Sequence, residues 1–234
     1  MEKRAIILAG GKGTRLKPYT VALPKPLVPV GDVPILEIII RQLANHGFSH
    51  VTITINHLAD IIKAFFGNGE KWNIKIDYSL EDKPLSTMGP LKLINDLPEN
   101  FLVMNGDVLT NLNFDEFFKD HIASESIFTI SASERDHKVD YGVLEINEKN
   151  ILVDFIEKPV LNYKVSMGIY MVNQKCLNII PEDTFYGFDN LMLDLIRNNT
   201  PASVKTYNGY WLDIGRPGDY EKACAAVEEG NINW

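Results

Sequence analysis

At 234 residues, 45% of them hydrophobic, the chain is long enough to bury a sizeable core and has a prior of one or two domains. Its 31 acidic against 23 basic residues, a formal net charge of -8, argue against a nucleic-acid partner, because phosphate backbones are held by basic patches; any polyanion bound here must meet local cations or a metal. Cys176 and Cys224 are too few and too far apart for a disulfide framework, the opening residues do not resemble an export signal, and no run approaches the ~20 apolar residues of a membrane span, so a soluble protein of the reducing cytoplasm, with no membrane partner, is expected.

The first predicted element is the apolar run Ala5-Ile6-Ile7-Leu8-Ala9, which leads straight into Gly10-Gly11-Lys12-Gly13-Thr14-Arg15-Leu16. This is the pattern of a buried strand ending in a loop whose backbone N–H groups can approach phosphate, and the glycines permit that approach because they carry no Cβ. Neither familiar phosphate loop fits: a dinucleotide fingerprint needs a third glycine where Leu16 stands, and a Walker loop needs Gly-Lys-Ser/Thr at its end. Arg15 offers a planar fork for bidentate contact, and Lys25, in Leu23-Pro24-Lys25-Pro26-Leu27, a compact point charge.

Pro34 then opens a helix in which Ile35, Leu36, Ile39, Ile40 and Leu43 recur at helical spacing, and Gly47 stops it. The β-branched run Val51 to Ile55 predicts a strand, Ile61, Ile62, Phe65 and Phe66 a helix closed by Gly67, Ile74 to Tyr78 a strand, Gly89 to Leu97 a helix, and Phe101 to Met104 a strand. Strands alternating with helices predict an α/β fold, a Rossmann-like three-layer sandwich on a mixed, mostly parallel central sheet, with ligands at the carboxyl ends of the strands. After Phe114 to His121, the runs Ile127 to Ser133, Tyr141 to Ile146, Ile151 to Phe155 and Gly168 to Val172 are strand-rich and are expected to form the acceptor side of a cleft. No repeat, low-complexity tract or linker interrupts the chain, so residues 1–234 are expected to be a single domain.

Three groups of polar residues carry candidate chemistry. Asn105-Gly106-Asp107 follows the strand Phe101 to Met104, placing Asp107 at a strand's carboxyl end, where a carboxylate can hold Mg2+ over a triphosphate or, as in many Asn-Gly-Asp turns, bond its own backbone. Asp213, in Trp211-Leu212-Asp213-Ile214-Gly215, reads by itself as a strand-end acid, and Asp219 is placed to cap the helix carrying Ala223, Cys224 and Val227. Glu157-Lys158-Pro159 reads by itself as an exposed strand end. The five histidines, His46, His50, His57, His121 and His137, show no metal-ligand spacing and read as surface or structural.

Taken in order, these motifs resemble the sugar-1-phosphate nucleotidyltransferases, the pyrophosphorylases that make nucleotide sugars, and in pattern most resemble the short mannose-1-phosphate guanylyltransferase-like members. The entry segment is similar to Leu-Ala-Gly-Gly-x-Gly-Thr-Arg-Leu with its following Pro-Lys-Pro-Leu, and Trp211 to Gly215 to the closing Trp-x-Asp-Ile-Gly. The resemblance spans residues 5 to 220, and leaves no C-terminal β-helix domain of the kind longer relatives carry. It implies a nucleoside triphosphate held by Leu8, Ala9, Gly10, Gly11, Gly13, Thr14, Arg15, Lys25, Glu81, Ser86 and Asp107, and a sugar 1-phosphate held by Gly142, Glu157, Lys158, Ser166 and Gly168. It also implies Asp107 and Asp213 as Mg2+ ligands. In that scheme Arg15 faces the pyrophosphate leaving group, Lys25 the reacting phosphates and Lys158 the sugar phosphate, with catalysis by positioning and charge neutralisation rather than by a covalent nucleophile.

Two departures bear on specificity. Where many relatives read Leu-Gly-Thr-Ala-Gly, this chain has Leu85-Ser86-Thr87-Met88-Gly89, and Ser166-Met167 stands where mannose-type enzymes commonly show Asn-Ala. Glu81, at the position from which the family reads the base edge, can accept from the N1–H and exocyclic amine of guanine, so GTP is the favoured donor, with CTP, UTP or dTTP as alternatives. A glycosyltransferase would need an Asp-x-Asp pair, and this chain has Asn105-Gly106-Asp107; an NAD oxidoreductase lacks its third glycine; a non-catalytic nucleotide-sugar-binding homologue is countered by Arg15, Lys25, Asp107 and Asp213. The assembly state, a homo-oligomer included, is not legible.

Overall fold

The structure is a computed structural model and describes residues 2–230. The chain runs β1 (Arg4–Leu8), the short strands β2 (Pro29–Val30) and β3 (Val33–Pro34), α1 (Ile35–Asn45), β4 (His50–Ile55), α2 (Ala59–Phe66), β5 (Lys75–Leu80), β6 (Asn100–Asn105), β7 (Val108–Thr110) and α3 (Phe114–Ser124). It continues with β8 (Phe128–Lys138), β9 (Val143–Ile146), β10 (Leu152–Ile156), β11 (Val160–Asn173), α4 (Phe188–Arg197), β12 (Ser203–Thr206), β13 (Trp211–Asp213) and α5 (Pro217–Glu228). The main sheet has seven strands in the order β12-β8-β11-β6-β1-β4-β5, and every strand in it is parallel to β1 except β11, which is antiparallel to both its neighbours. This is the mixed, mostly parallel sheet that the alternating pattern predicts.

Side-chain alternation along β1 divides the core between the two faces of the sheet. Ala5 and Ile7 join the apolar cluster of α1, α2 and α3, whereas Ile6 joins Phe101, Val103 and the α4 residues Leu191 and Leu195 on the other face. Three layers result. The α1 helix is buried nearly all round, and the stop at Gly47 is a Schellman turn: Gly47, at φ +79°, donates to Ala44 O and Phe48 N–H to Leu43 O. Its one buried acid, Glu37, is costly to desolvate, but bonds from Arg41 Nη2 (2.6 Å), Trp72 Nε1 (3.1 Å) and Lys71 Nζ (3.3 Å) outweigh that burial and hold its carboxyl below the ordinary range.

The helix expected over Gly89 to Leu97 is only a 3-10 stretch over Gly89–Leu93. Asp96 explains where it ends: its carbonyl and carboxylate both receive Arg4 Nη1, at 2.9 and 3.0 Å, so this backbone turns away to satisfy a buried guanidinium on β1. Asp219 lies inside α5 rather than ahead of it, and from there its Oδ2 accepts the Arg216 N–H at 3.0 Å, capping the helix from its third position. No helix among the described residues is long and apolar enough to cross a membrane.

Candidate active site

Four parallel strands end on one edge, and their carboxyl ends open into a cleft of about 490 Å3. Leu8 closes β1, Thr54 and Asn56 flank the end of β4, and Asn105 closes β6, with Asp107 two residues on. The floor is Gly10, Gly11 and Lys12. Gly106 lets the turn after β6 lie against the end of β1, where its N–H donates to Leu8 O at 2.9 Å and a Cβ would stand 3.1 Å from that oxygen. Gly13, at φ +61°, turns the loop into the short 3-10 segment Thr14–Leu16.

Glu81 forms the opposite wall with Pro84, Ser86 and Thr87. The side chain is 8% exposed, and burial pushes its carboxyl above the usual range. Its backbone is fixed by Asn56 Nδ2 on the carbonyl (2.8 Å) and by its own N–H on Ile55 O (3.0 Å), while Leu85 N–H reaches Oε2 at 3.4 Å. A Cβ on Gly10 would stand 2.7 Å from Glu81 Oε1, so the glycine loop and this wall close on each other with room for nothing larger. Ser86 is held at φ +65°, in the left-handed region that favours glycine.

The charged centre lies where β6 ends. The β13–β7 ribbon sets Asp213 opposite Val108, and Ile214 N–H donates to Asp107 O at 3.0 Å, so two acids 106 residues apart in sequence become neighbours. Asp107 Oδ2 pairs with Lys25 Nζ, while its Oδ1 is buried without a hydrogen-bond partner among the described residues. Burial and the Asp107 charge raise the Asp213 carboxyl above its ordinary range, against the opposing pull of Lys25 and Arg15. Arg15 Nη1 and Asp213 Oδ1 both approach Gly215, at 4.0 and 3.9 Å from where its Cβ would be. Two adjacent acids and an orphaned carboxylate oxygen suit a divalent cation. No group of three or more His, Cys, Asp or Glu forms a ligand set among the described residues, and a pair of carboxylates is the donor set with which Mg2+ usually engages phosphate.

Asp213 also lines a second hollow, of about 670 Å3, with Arg135, Trp211, Asp219 and Lys222. Arg135 stacks over the Trp211 ring at 4.6 Å, and Trp211 Nε1 donates to Met167 O at 2.9 Å. That bond ties the closing motif to the bulge in β11, where Ser166 Oγ accepts Gly168 N–H (3.2 Å) and Gly168, at φ +74°, leaves space that a Cβ would fill 2.6 Å from Asn105 Nδ2. Gly142 and Glu157 also meet, a Cβ on the former being 3.1 Å from Oε2 of the latter. Lys158 is half-exposed, and its ion-pair partner is Glu157 at 3.8 Å. The predicted residues thus fall into three groups: the cleft, with Leu8, Gly10, Gly11, Glu81, Ser86 and Asp107; the charged centre, with Arg15, Lys25 and both acids; and the strand-rich side. Ala9, Gly13 and Thr14 shape the loop without lining the cleft.

Sequence reasoning missed Lys12, Thr54, Asn56, Asn105, Arg135 and Phe185. The position of Phe185 on the cleft wall depends on a long-range contact: Tyr186 exchanges backbone bonds with Leu85, Met88 and Gly89, and Phe188 N–H donates to Thr87 Oγ1 at 2.8 Å. Thr54, Asn56 and Asn105 were legible as strand-end residues, the only signal that could have found them.

The glycine loop at the end of β1 thus lies beside two acids and a lysine, and comparison with known proteins says to which family a chain so built belongs. The nucleotidyl transferase family model matches residues 4–230, and the chain belongs to that family. It is 30% identical over 96% of its length to a UTP–glucose-1-phosphate uridylyltransferase of Synechocystis sp., and 33% identical over 93% to a mannose-1-phosphate guanyltransferase of Aspergillus oryzae. The chain spans 63% and 62% of the lengths of these two curated relatives. Among solved structures, HddC from Yersinia pseudotuberculosis is 30% identical with a TM-score of 0.74, covering 96% of this chain and 99% of that one, and has also been solved complexed with GMP-PN.

Proposed function

We propose that this protein transfers a nucleotidyl group from a nucleoside triphosphate, with GTP favoured, to a sugar 1-phosphate, giving a nucleotide sugar and releasing pyrophosphate. The observation that carries this reading is the meeting of Lys25, Asp107 and Asp213 between the two hollows, one lined by Asp107 and the other by Asp213. The obstacle in such a reaction is repulsion between two polyanions, and positioned charge removes it. The Gly10–Gly13 loop and Lys12 cradle the triphosphate, Arg15 draws off the pyrophosphate, Lys25 neutralises the reacting phosphates, and Arg135, Lys158 and Lys222 receive the sugar phosphate. Mg2+ held by Asp107 and Asp213 would supply charge neutralisation across both phosphates.

Guanine is favoured because a buried carboxylate at Glu81 is left unsatisfied by a base that lacks paired donors, and because the similar protein HddC has been solved complexed with GMP-PN. The similarity to a uridylyltransferase supports UTP as the second reading. Pyrophosphate release, screened with each common triphosphate in turn against a panel of sugar 1-phosphates, tests the proposal. Release with GTP and one sugar phosphate is expected. Preference for UTP, CTP or dTTP transfers the proposal to that base, and no release with any pair overturns the catalytic reading.

A further inference from the structure

Phe185 stands 67% exposed on the wall of the cleft, and no other aromatic side chain among the described residues lines it. The backbone that carries it is nonetheless fixed. Tyr186 N–H donates to Leu85 O at 3.1 Å, Met88 and Gly89 N–H donate to Tyr186 O at 3.0 and 2.9 Å, and Phe188 N–H donates to Thr87 Oγ1 at 2.8 Å. Lys83 Nζ and Asp183 Oδ1 pair at 2.7 Å across the same two segments, and a Cβ on Gly89 would stand 2.8 Å from Thr184 O. The aromatic neighbours of Phe185 turn inward: Tyr186 is buried and its hydroxyl donates to Asp194 Oδ2 at 2.7 Å, while Phe188 stacks on Tyr170 at 4.7 Å. The fold therefore holds Phe185 in place yet leaves its ring uncovered, forgoing the burial that phenylalanine ordinarily gains.

We propose that the Phe185 ring is the platform on which the base of the bound triphosphate stacks, and that it selects purines over pyrimidines; this rests on the nucleotidyl-transfer function proposed above. A base is recognised in two directions, through donors and acceptors in the plane of its ring and through the π faces above and below. Glu81 answers the first. Its Oε1 is 2.7 Å from where a Cβ on Gly10 would be, so a base edge turned to that carboxylate lies over the backbone of the glycine loop, and the flat apolar surface left for its face is Phe185. Leu8 and Pro84, the other apolar side chains of the lining, offer no π face. A ring on a fixed backbone loses little conformational entropy when a ligand covers it, and stacking grows with overlap, which is larger for the fused rings of a purine. Because every base has a π face, Phe185 sets the class of ring and Glu81 chooses within that class.

Titration calorimetry of the 234-residue chain in Mg2+ with GTP, ITP, UTP and inorganic tripolyphosphate reads this without turnover. Phe185→Ala is expected to weaken GTP and ITP by a similar factor, roughly tenfold or more, to weaken UTP less, and to leave tripolyphosphate, which has no base, unchanged. Phe185→Leu should recover only part of the loss and Phe185→Trp all of it, with the fluorescence of the introduced indole quenched by GTP and not by tripolyphosphate. The thermal midpoint should hold in all three variants, since the side chain is two-thirds exposed. Undiminished GTP affinity in Phe185→Ala overturns the proposal. So do equal losses for GTP and UTP, which remove the purine selection, or an equal loss for tripolyphosphate, which assigns the effect to the loop. A chain that binds no triphosphate overturns both this proposal and the function beneath it, whereas one that binds GTP through Phe185 and releases no pyrophosphate overturns the catalytic reading alone.

Discussion

Lys25 touches one oxygen of Asp107 and the other is buried without a hydrogen-bond partner among the described residues, so the role proposed for each rests on charge and neither fills the core. Lys25→Ala and Asp107→Ala should each lower kcat by more than ~100-fold, as loss of other transition-state charge stabilisers does, with cooperative thermal unfolding retained. Single-turnover pyrophosphate release checks the first half and calorimetry the second; near-normal turnover in either variant removes that residue from the mechanism. Glu81 adds a pH dependence. Burial raises its carboxyl, so as pH falls through a window above the usual carboxylate range it takes up a proton and can no longer accept from both guanine donors. The KM for GTP should therefore rise on acidification while that for UTP moves less. Glu81→Gln should flatten the GTP profile and erode the preference, as equimolar competition among triphosphates would reveal.

At the scale of elements, α3 is joined to the sheet by His121. Asn100 Oδ1 can only accept, so His121 Nε2 carries the proton, 3.2 Å away, and Nδ1 accepts from Thr129 Oγ1 at 2.7 Å: a neutral ring with both nitrogens satisfied. Burial lowers its pKa to about 4. A depressed folded pKa contributes stability that is complete above the unfolded value near 6.5 and is lost as pH falls towards 4, a loss of at most about 3 kcal/mol by the ~1.36 kcal/mol per unit conversion. Denaturant midpoints measured across that range should fall, and should fall less steeply in His121→Gln. This role was legible only as structural, because spacing shows no partner. Local pattern gave much more where neighbours in sequence decide the outcome, as in α1 with its Gly47 stop and in the β-branched run of β4. It failed over Gly89 to Leu97, where Arg4 from the far end of the chain captures Asp96. The same division runs through the site: the glycine loop is contiguous and readable, whereas the Asp107–Asp213 pairing depends on β13 reaching β7, and Phe185 reaches the cleft through backbone bonds across about a hundred residues.

For the molecule as a whole, a net charge of -8 means that bound polyanions depend on local cations. Chelation should stop pyrophosphate release and added Mg2+ restore it, and Asp213→Asn should raise the Mg2+ concentration for half-maximal rate by roughly tenfold or more. Full turnover in excess chelator would rule out a role for both acids as ligands. The lone reversed strand, β11, gives the architecture a further property. Its inner half is buried between β6 and β8, whereas its outer half pairs with β8 alone and is exposed, with the Gly168 bulge as the joint between them. Changes to the outer half therefore leave the buried interior untouched, and on the proposed reading a lineage could exchange one acceptor for another, or an experimenter could graft a foreign segment there, without disturbing the glycine loop at the end of β1.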